Sequence, residues 1–122
     1  MLKLVFCLHR LPHLSREAFQ TYWREHHAPL VAKHAQTLGI VRYVQVHALT
    51  DDMNAAIQRT RGGPDMYDGI AEICFENWDS FFAAGEDDGA KAASAALLAD
   101  EKTFIDLSRS PLWFNHERVI VG

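Results

Sequence analysis

The stretch YWREHHAPL, residues 22 to 30, lies in a segment whose apolar residues recur at a helical period. Phe19, Trp23 and Leu30 fall on one stripe of the helix that this period predicts over residues 15–38. An amphipathic helix of that length must bury its stripe against another element of the fold. The segments before and after this helix are therefore the candidates against which its apolar stripe packs.

Pro29 interrupts this helix. Its ring removes one helical hydrogen bond and also disfavours helical geometry at Ala28. We therefore expect the helix to kink or restart there, with Pro29 at the first helical position (N1) of a second segment. His26 and His27 precede the break at three and four residues after Trp23, so periodicity alone does not choose which of them faces the interior.

Runs of β-branched and aromatic residues on both sides of this helix predict strands. The rest of the chain predicts a short helix, an alanine-rich helix and a long polar loop with room for one helical turn. The predicted strands cover residues 2–9, 40–49, 68–76 and 112–121, the short helix follows the capping residue Asn77, the alanine-rich helix covers residues 90–102, and the loop covers residues 50–67 with its turn at 54–58.

The order β-α-β-β-α-β predicts an α+β protein with a ferredoxin-like fold, in which helices cover one face of a four-stranded antiparallel sheet. We expect residues 1–122 to form a single domain of this kind. The other face of the sheet would be uncovered. A second copy of the chain is its natural cover, so we expect a homodimer through the open sheet face.

The composition argues against several kinds of partner. The net charge is −4 and the pI is near 5.9, so no basic surface indicates nucleic acid or anionic lipid. No apolar run has the length of a membrane span, and the first residues lack the pattern of a signal peptide, so we expect a cytoplasmic protein. Cys7 and Cys74 lie in apolar runs as small buried hydrophobes and make no disulfide framework.

The seven histidines do not form a recognisable metal motif. His27 and His34 would lie about 10 Å apart along a helix axis, too far to share one ion directly. His9 and His13 have no carboxylate or cysteine beside them. A metal site would need tertiary contacts that the spacing does not indicate, and we predict neither a metal nor a cofactor.

Polar residues in two strands are further acid–base candidates beside His27. Tyr43, Gln45 and His47 share one face of the second strand, which either lines a polar pocket or forms half of a wet dimer interface. Glu72 lies in mid-strand among apolar neighbours, where an unpaired carboxylate is costly. We expect it either to pair with a histidine, tyrosine or arginine or to have a raised pKa; a purely structural role remains open.

Five segments in the same order resemble EthD-domain proteins, and the resemblance runs from Met1 to about Val121. The stretch at 22–30 resembles the family pattern Y-W-x-x-x-H-x-P-L, in which the histidine four residues after the tryptophan is His27 here. His26 is then expected to face solvent or a subunit contact. The other segments are RYVQVH at 42–47, YDGIAE at 67–72, FENWDSFF at 75–82 and FID at 104–106.

The resemblance implies the dimeric α+β barrel superfamily, in which ferredoxin-like protomers pack sheet to sheet and a cleft lies between each sheet and its helices. Similar folds serve cofactor-free monooxygenases, polyketide cyclases, muconolactone isomerases and haem-degrading enzymes. The EthD family itself takes its name from ethyl tert-butyl ether degradation.

The leading functional hypothesis is an EthD-like small-molecule enzyme, a cofactor-independent oxygenase, isomerase or cyclase for a hydrophobic or aromatic compound. His27 or His47 would act as the base, Glu72 would be a further acid–base group, and Tyr43 would orient a substrate oxygen. One alternative is a non-catalytic ligand-binding or accessory protein of a degradation pathway, and another is a haem-handling enzyme with an axial histidine. The cleft is expected to be lined by Phe19, Trp23, His27, Tyr43, His47 and Glu72.

Overall fold

Four strands form one antiparallel sheet in the computed structural model, which describes residues 1–122. The strands are β1 (Leu2–Leu8), β2 (Ile40–His47), β3 (Gly69–Phe75) and β4 (Leu112–His116), in the spatial order β2-β3-β1-β4. The helices are α1 (Arg16–Tyr22), α2 (Ala28–Leu38), α3 (Asp52–Arg61), α4 (Trp78–Glu86) and α5 (Asp88–Glu101), with a π-helical turn at Trp23–His27 and a 3-10 turn at Leu107–Arg109. The predicted ferredoxin-like α+β fold is confirmed.

The core lies between the sheet and the helical segment that contains residues 22–30. Phe19 and Trp23 are almost fully buried, and they pack with Phe6 of β1 and Ala71 of β3. Phe104, which follows α5, closes the cluster from the other side. Burying an aromatic ring of this size stabilises the fold by roughly 2–3 kcal/mol, so these rings fix the helix on the sheet.

Pro29 does not break the helix. The π-helical turn comes before it, where the Ala28 N–H donates to the Trp23 carbonyl five residues back, and α2 begins with Pro29 in its first turn. Ala28 keeps helical backbone angles, so the predicted distortion at that residue is wrong. The wider turn changes the hydrogen-bonding register just before the proline, where its missing N–H would otherwise interrupt the ladder. Gly39 ends α2 in the left-handed conformation, as predicted.

Two element boundaries differ from the prediction. The loop after β2 contains a helix of three turns, α3, which Asp51 caps by accepting hydrogen bonds from the N–H groups of Met53 and Asn54. No residue of α3 is buried, and its large apolar side chains Met53 and Ile57 are more than half exposed, so the helix has only a short apolar stripe. β4 ends at His116 rather than at residue 121, because its partner β1 begins at Leu2, opposite His116.

A bulge in β2 sets the direction of its side chains. The register shifts between Ile40 and Arg42, so Val41 leaves the row that the alternation predicts and is half exposed. Tyr43 and the alternate residues after it then pair with Ile73 and the other β3 residues that face the helices.

The opposite face of the sheet carries ion pairs and exposed apolar side chains. Lys3 of β1 pairs with Glu72 at 2.5 Å and also with Glu117. Val46 and Trp113 on this face are 43% and 46% exposed. Cys7 and Cys74 are buried free thiols, as expected.

None of the helices is both long enough and apolar enough to cross a lipid bilayer.

Candidate functional site

A small cavity lies between the sheet and the helices, with a volume of about 60 Å³; we call it the inner cavity. The residues that line it are apolar except for His27, Tyr43 and Glu101. The inner cavity has room for a few atoms, far less than the roughly 300 Å³ or more that a whole drug-sized ligand occupies.

A larger apolar groove adjoins the inner cavity between the sheet and the helices α2, α4 and α5. Its volume is about 460 Å³, which is within the range of small-molecule sites. Ile40, Ile73 and Leu97 line both spaces, so the groove and the inner cavity share a wall. The groove therefore lies directly against the inner cavity.

His27 is held by a carboxylate from the opposite helix. The imidazole is 5% exposed, and its Nδ1 lies 2.7 Å from Oδ2 of Asp100 in α5. Because a carboxylate only accepts hydrogen bonds, Nδ1 is the donor, and in the neutral ring Nε2 then carries the lone pair. The Tyr22 hydroxyl donates to the other oxygen of Asp100 at 2.5 Å, and this bond raises the pKa of Tyr22. The fixed tautomer leaves Nε2 as the basic atom.

His26, by contrast, is exposed and stacks on the ring of Tyr22. The prediction that His27 is the inward histidine of the pair is therefore confirmed. Successive residues on this helical turn point in directions about 100° apart, so only one of the two can face the sheet.

A second polar network runs along β2. The Gln45 amide Nε2 donates to the Trp23 carbonyl at 2.9 Å and to the Tyr43 hydroxyl at 3.0 Å, while its oxygen accepts from His47 Nε2 at 2.8 Å. Burial, and then the charge of Arg24, lowers the pKa of His47. Burial also raises the pKa of Tyr43. This network holds Tyr43 in place, while burial and the charge of Arg24 favour the neutral form of His47.

Glu101 is the last residue of α5, next to Asp100. Burial, and then the negative charge of Asp100, raises its pKa to about 7. Neither residue is among the sequence predictions. The sequence did contain an indication of them, because two carboxylates in the last turn of a helix interact unfavourably with its dipole and are therefore unusual unless they have a specific role.

The structure brings together only some of the predicted site residues. Trp23, His27 and Tyr43 line the inner cavity. Phe19 lies in the core behind them, in contact with Trp23 and fully buried. His47 packs against the indole of Trp23, with ring centroids 4.5 Å apart, and is not part of the cavity wall.

Glu72 does not belong to the cleft, which corrects the prediction. Side chains alternate along a strand, and Ala71 lines the inner cavity, so Glu72 points to the opposite face of the sheet. Its partner there is Lys3, rather than the histidine, tyrosine or arginine expected.

A polar depression of about 490 Å³ lies elsewhere, near the start of α1. Asp68, almost fully buried, accepts hydrogen bonds there from the backbone N–H and guanidinium of Arg10 and from the guanidinium of Arg16. Burial would raise the pKa of Asp68, but these hydrogen bonds outweigh it and lower the pKa. The pairing satisfies Asp68 and ties β1, α1 and the segment before β3 together.

No three histidine, cysteine, aspartate or glutamate side chains come together in a geometry suited to a metal ion.

Known structures share this fold at low sequence identity. An EthD family protein from Bacillus halodurans has 21% identity and a TM-score of 0.62, with 97% of this chain and 99% of that chain covered. A variant of SnoaB, a cofactor-independent oxygenase from Streptomyces nogalater, has 16% identity and a TM-score of 0.56, with 98% and 95% covered. A dimeric protein of ferredoxin-like fold from Bacteroides fragilis has 9% identity and a TM-score of 0.58, with 95% of each chain covered.

The search among curated proteins gave no match. The model of the EthD domain matches residues 11–108, which is most of the chain and includes the π-helical turn, β2 and Glu101. The chain therefore belongs to the EthD-domain family.

Proposed function

We propose that this protein is an enzyme that abstracts a proton from a small hydrophobic or aromatic compound, as a cofactor-independent oxygenase, isomerase or cyclase would. The observation that carries the proposal is the orientation of His27, whose Nδ1 is bound to Asp100 while its ring lines the inner cavity. A neutral imidazole with a fixed tautomer suits general base catalysis near neutral pH. The likeness to a cofactor-independent oxygenase is in keeping with this chemistry.

The groove supports the choice of substrate class. Apart from Lys91 and Ser94, its lining is almost wholly apolar, with Phe75 and Phe81 on its wall. An aromatic or alicyclic body packs well there, and a single polar group at one end reaches the inner cavity. Tyr43 is placed to orient an oxygen of that group, and Trp23 forms an apolar wall.

The test uses a probe that needs no cofactor, since the natural substrate is unidentified. 2-Acetylnaphthalene has an aromatic body for the groove and a methyl group whose hydrogens exchange with deuterium when a base abstracts them. Proton NMR in D₂O follows this exchange. We expect His27→Ala to slow the protein-catalysed exchange by about 100-fold, the contribution of a positioned base.

His26→Ala is the matched control, because His26 is the adjacent histidine but is exposed. We expect this variant to exchange the probe at the wild-type rate. Wild-type exchange in His27→Ala would rule out His27 as the base.

The alternative is a protein that binds such compounds without turnover. Its support is that Tyr22 and His27 both bond to Asp100, which ties the first helices to α5 and gives His27 a structural reason to be buried. Tight binding of the probe with no exchange above the buffer rate, and a lower free energy of unfolding in His27→Ala, would favour this alternative.

We also propose that two copies associate through the open face of the sheet. Val46 and Trp113 expose apolar surface there, and one structural neighbour is described as dimeric. A stable interface buries about 1,200–2,000 Å² in total, and a buried glutamate at its centre would be costly. Sedimentation should give a dimer that Trp113→Glu dissociates, while Leu98→Glu, at a comparably exposed position on α5, leaves it intact. A Trp113→Glu protein that remains dimeric contradicts this interface.

A further inference from the structure

Glu101 is an ionisable residue of the inner cavity that proton abstraction by His27 does not use. Its neighbour Asp100 receives hydrogen bonds from Tyr22 and His27, whereas the Glu101 carboxyl has no hydrogen-bond partner in the protein. A carboxyl in an apolar wall needs a partner, because its desolvation is otherwise uncompensated. Its oxygens keep some accessible surface, so they are free to bond to a molecule that enters the inner cavity.

Tyr43 lines the same cavity, and its hydroxyl is bonded within the protein. It accepts the hydrogen bond from Gln45 Nε2, which is only a donor, so the hydrogen of Tyr43 itself remains available. Burial raises the pKa of Tyr43, and the negative charge of Glu101 raises it further. In a cavity of about 60 Å³, one oxygen atom would be within reach of both.

The surroundings of Glu101 favour its neutral, protonated form. Burial and the charge of Asp100 raise its pKa to about 7. The other titratable groups on the wall are His27 from the π-helical turn and Tyr43 from β2. The side chains that β1, β3 and α2 contribute to the wall are apolar, namely Phe6, Leu8, Ala71, Ile73 and Val31.

We propose that Tyr43 and protonated Glu101 together bind the carbonyl oxygen of the substrate, which is therefore an enolisable ketone or a related carbonyl compound. The inference rests on the proposed function, because His27 must take a proton from the carbon next to that carbonyl. The C–H bond breaks and its proton binds Nε2 of His27. The electron pair of that bond forms the C=C bond of the enolate, and the π pair of the carbonyl moves onto the oxygen.

Tyr43 and Glu101 donate hydrogen bonds to the oxygen on which this negative charge develops. Donors fixed in a dry site stabilise such an oxyanion strongly, and a carboxylic acid kept neutral by an apolar site can be one of them. No oxidant or reductant takes part in this step.

The experiment compares the binding of 2-acetylnaphthalene with that of 2-ethylnaphthalene, which has nearly the same shape but no oxygen. Near pH 6 we expect the wild type to bind the ketone about tenfold more tightly than the hydrocarbon, from two neutral hydrogen bonds. This preference should fall to roughly threefold by pH 8, the share of Tyr43 alone, because the protonated fraction of a group with a pKa of about 7 drops from about 0.9 to about 0.1. An absent preference, or one that does not change with pH, overturns the proposal.

Variants separate Glu101 from the other groups. Glu101→Gln keeps a neutral donor that does not ionise, so its preference for the ketone should persist at pH 8. Glu101→Leu should lose most of the preference at both pH values, and Tyr43→Phe should weaken it without removing the pH dependence. Glu86→Gln is the control, because Glu86 is the last residue of α4 but is exposed. A Glu101→Gln protein with the wild-type pH dependence refutes the role of Glu101, even if Glu101→Leu fails to fold.

The two proposals fail in different ways. If the ketone preference and its pH dependence are present but His27→Ala exchanges the probe normally, the proposed function fails and carbonyl binding by Glu101 stands. If exchange depends on His27 but the protein does not distinguish the ketone from the hydrocarbon, the proposed function stands and the inference about Glu101 is wrong.

Discussion

Replacing Glu101 with glutamine should stabilise the protein in mildly alkaline solution. Burial and the charge of Asp100 raise the pKa of Glu101 from 4.5 to about 7 in the folded protein. The folded protein therefore holds a proton that the unfolded chain has already released between these two values. Stability contributed by this proton is complete below about pH 4.5 and is lost as the pH rises through about 7. Glutamine carries no such proton and should not show this loss.

The size of the effect follows from the two pKa values. A rise from 4.5 to about 7, at about 1.4 kcal/mol for each tenfold change, corresponds to roughly 3 kcal/mol of unfolding free energy. Urea unfolding near pH 5 and near pH 9 measures it. The free energy of unfolding of Glu101→Gln minus that of the wild type should increase by about 3 kcal/mol between the two conditions.

Glu86→Gln supplies the control for this measurement. Glu86 also ends a helix, but it is exposed, so its replacement should give a nearly constant difference from the wild type across the same pH range. If Glu101→Gln and the wild type show parallel pH dependences, the carboxyl of Glu101 is not held in a protonating environment and the reasoning about the inner cavity fails.

Three further changes test other parts of the structure. Asp100→Asn should lower the rate of probe exchange by about tenfold or more, because the tautomer of His27 is no longer fixed. An unchanged exchange rate would argue against this role. Gly69→Ala should reduce the free energy of unfolding by about 1–3 kcal/mol, since its Cβ would lie 2.4 Å from the indole of Trp23, and unaltered urea unfolding would contradict that packing. Asp68→Asn should destabilise the protein by about 3 kcal/mol at neutral pH but much less in acid, because the lowered pKa of Asp68 gives stability that is lost as the pH falls. Thermal or urea unfolding at the two pH values measures this, and an equal loss of stability at both would contradict it.

The sequence was sufficient for the fold and for the inward histidine. The helical period around Trp23 and the β-branched runs on either side gave the element order, and the family spacing distinguished His27 from His26. The bulge at Val41 was not readable, because a bulge depends on the pairing of two strands rather than on the residues of one. The helix α3 was missed because it buries nothing.

The hydrogen-bond partner of His27 could not be predicted from the sequence, for a different reason. Asp100 lies 73 residues further along the chain, in an alanine-rich helix with no motif to mark it, and only the packing of α5 brings it to His27. The face of Glu72 was also beyond the sequence. Strand alternation puts Glu72 and Ala71 on opposite faces of the sheet, but only the packing shows that the face with Ala71 lies against the helices.

A crystal structure of the protein with 2-acetylnaphthalene tests the central claim most directly. We expect the naphthalene rings in the groove between the sheet and the helices α2, α4 and α5. The ketone oxygen should lie within about 3.2 Å of the Tyr43 hydroxyl and a Glu101 oxygen, with the methyl carbon facing His27 Nε2. A probe bound in the polar depression beside Asp68, or on the open face of the sheet, with no oxygen at the inner cavity, would contradict the account.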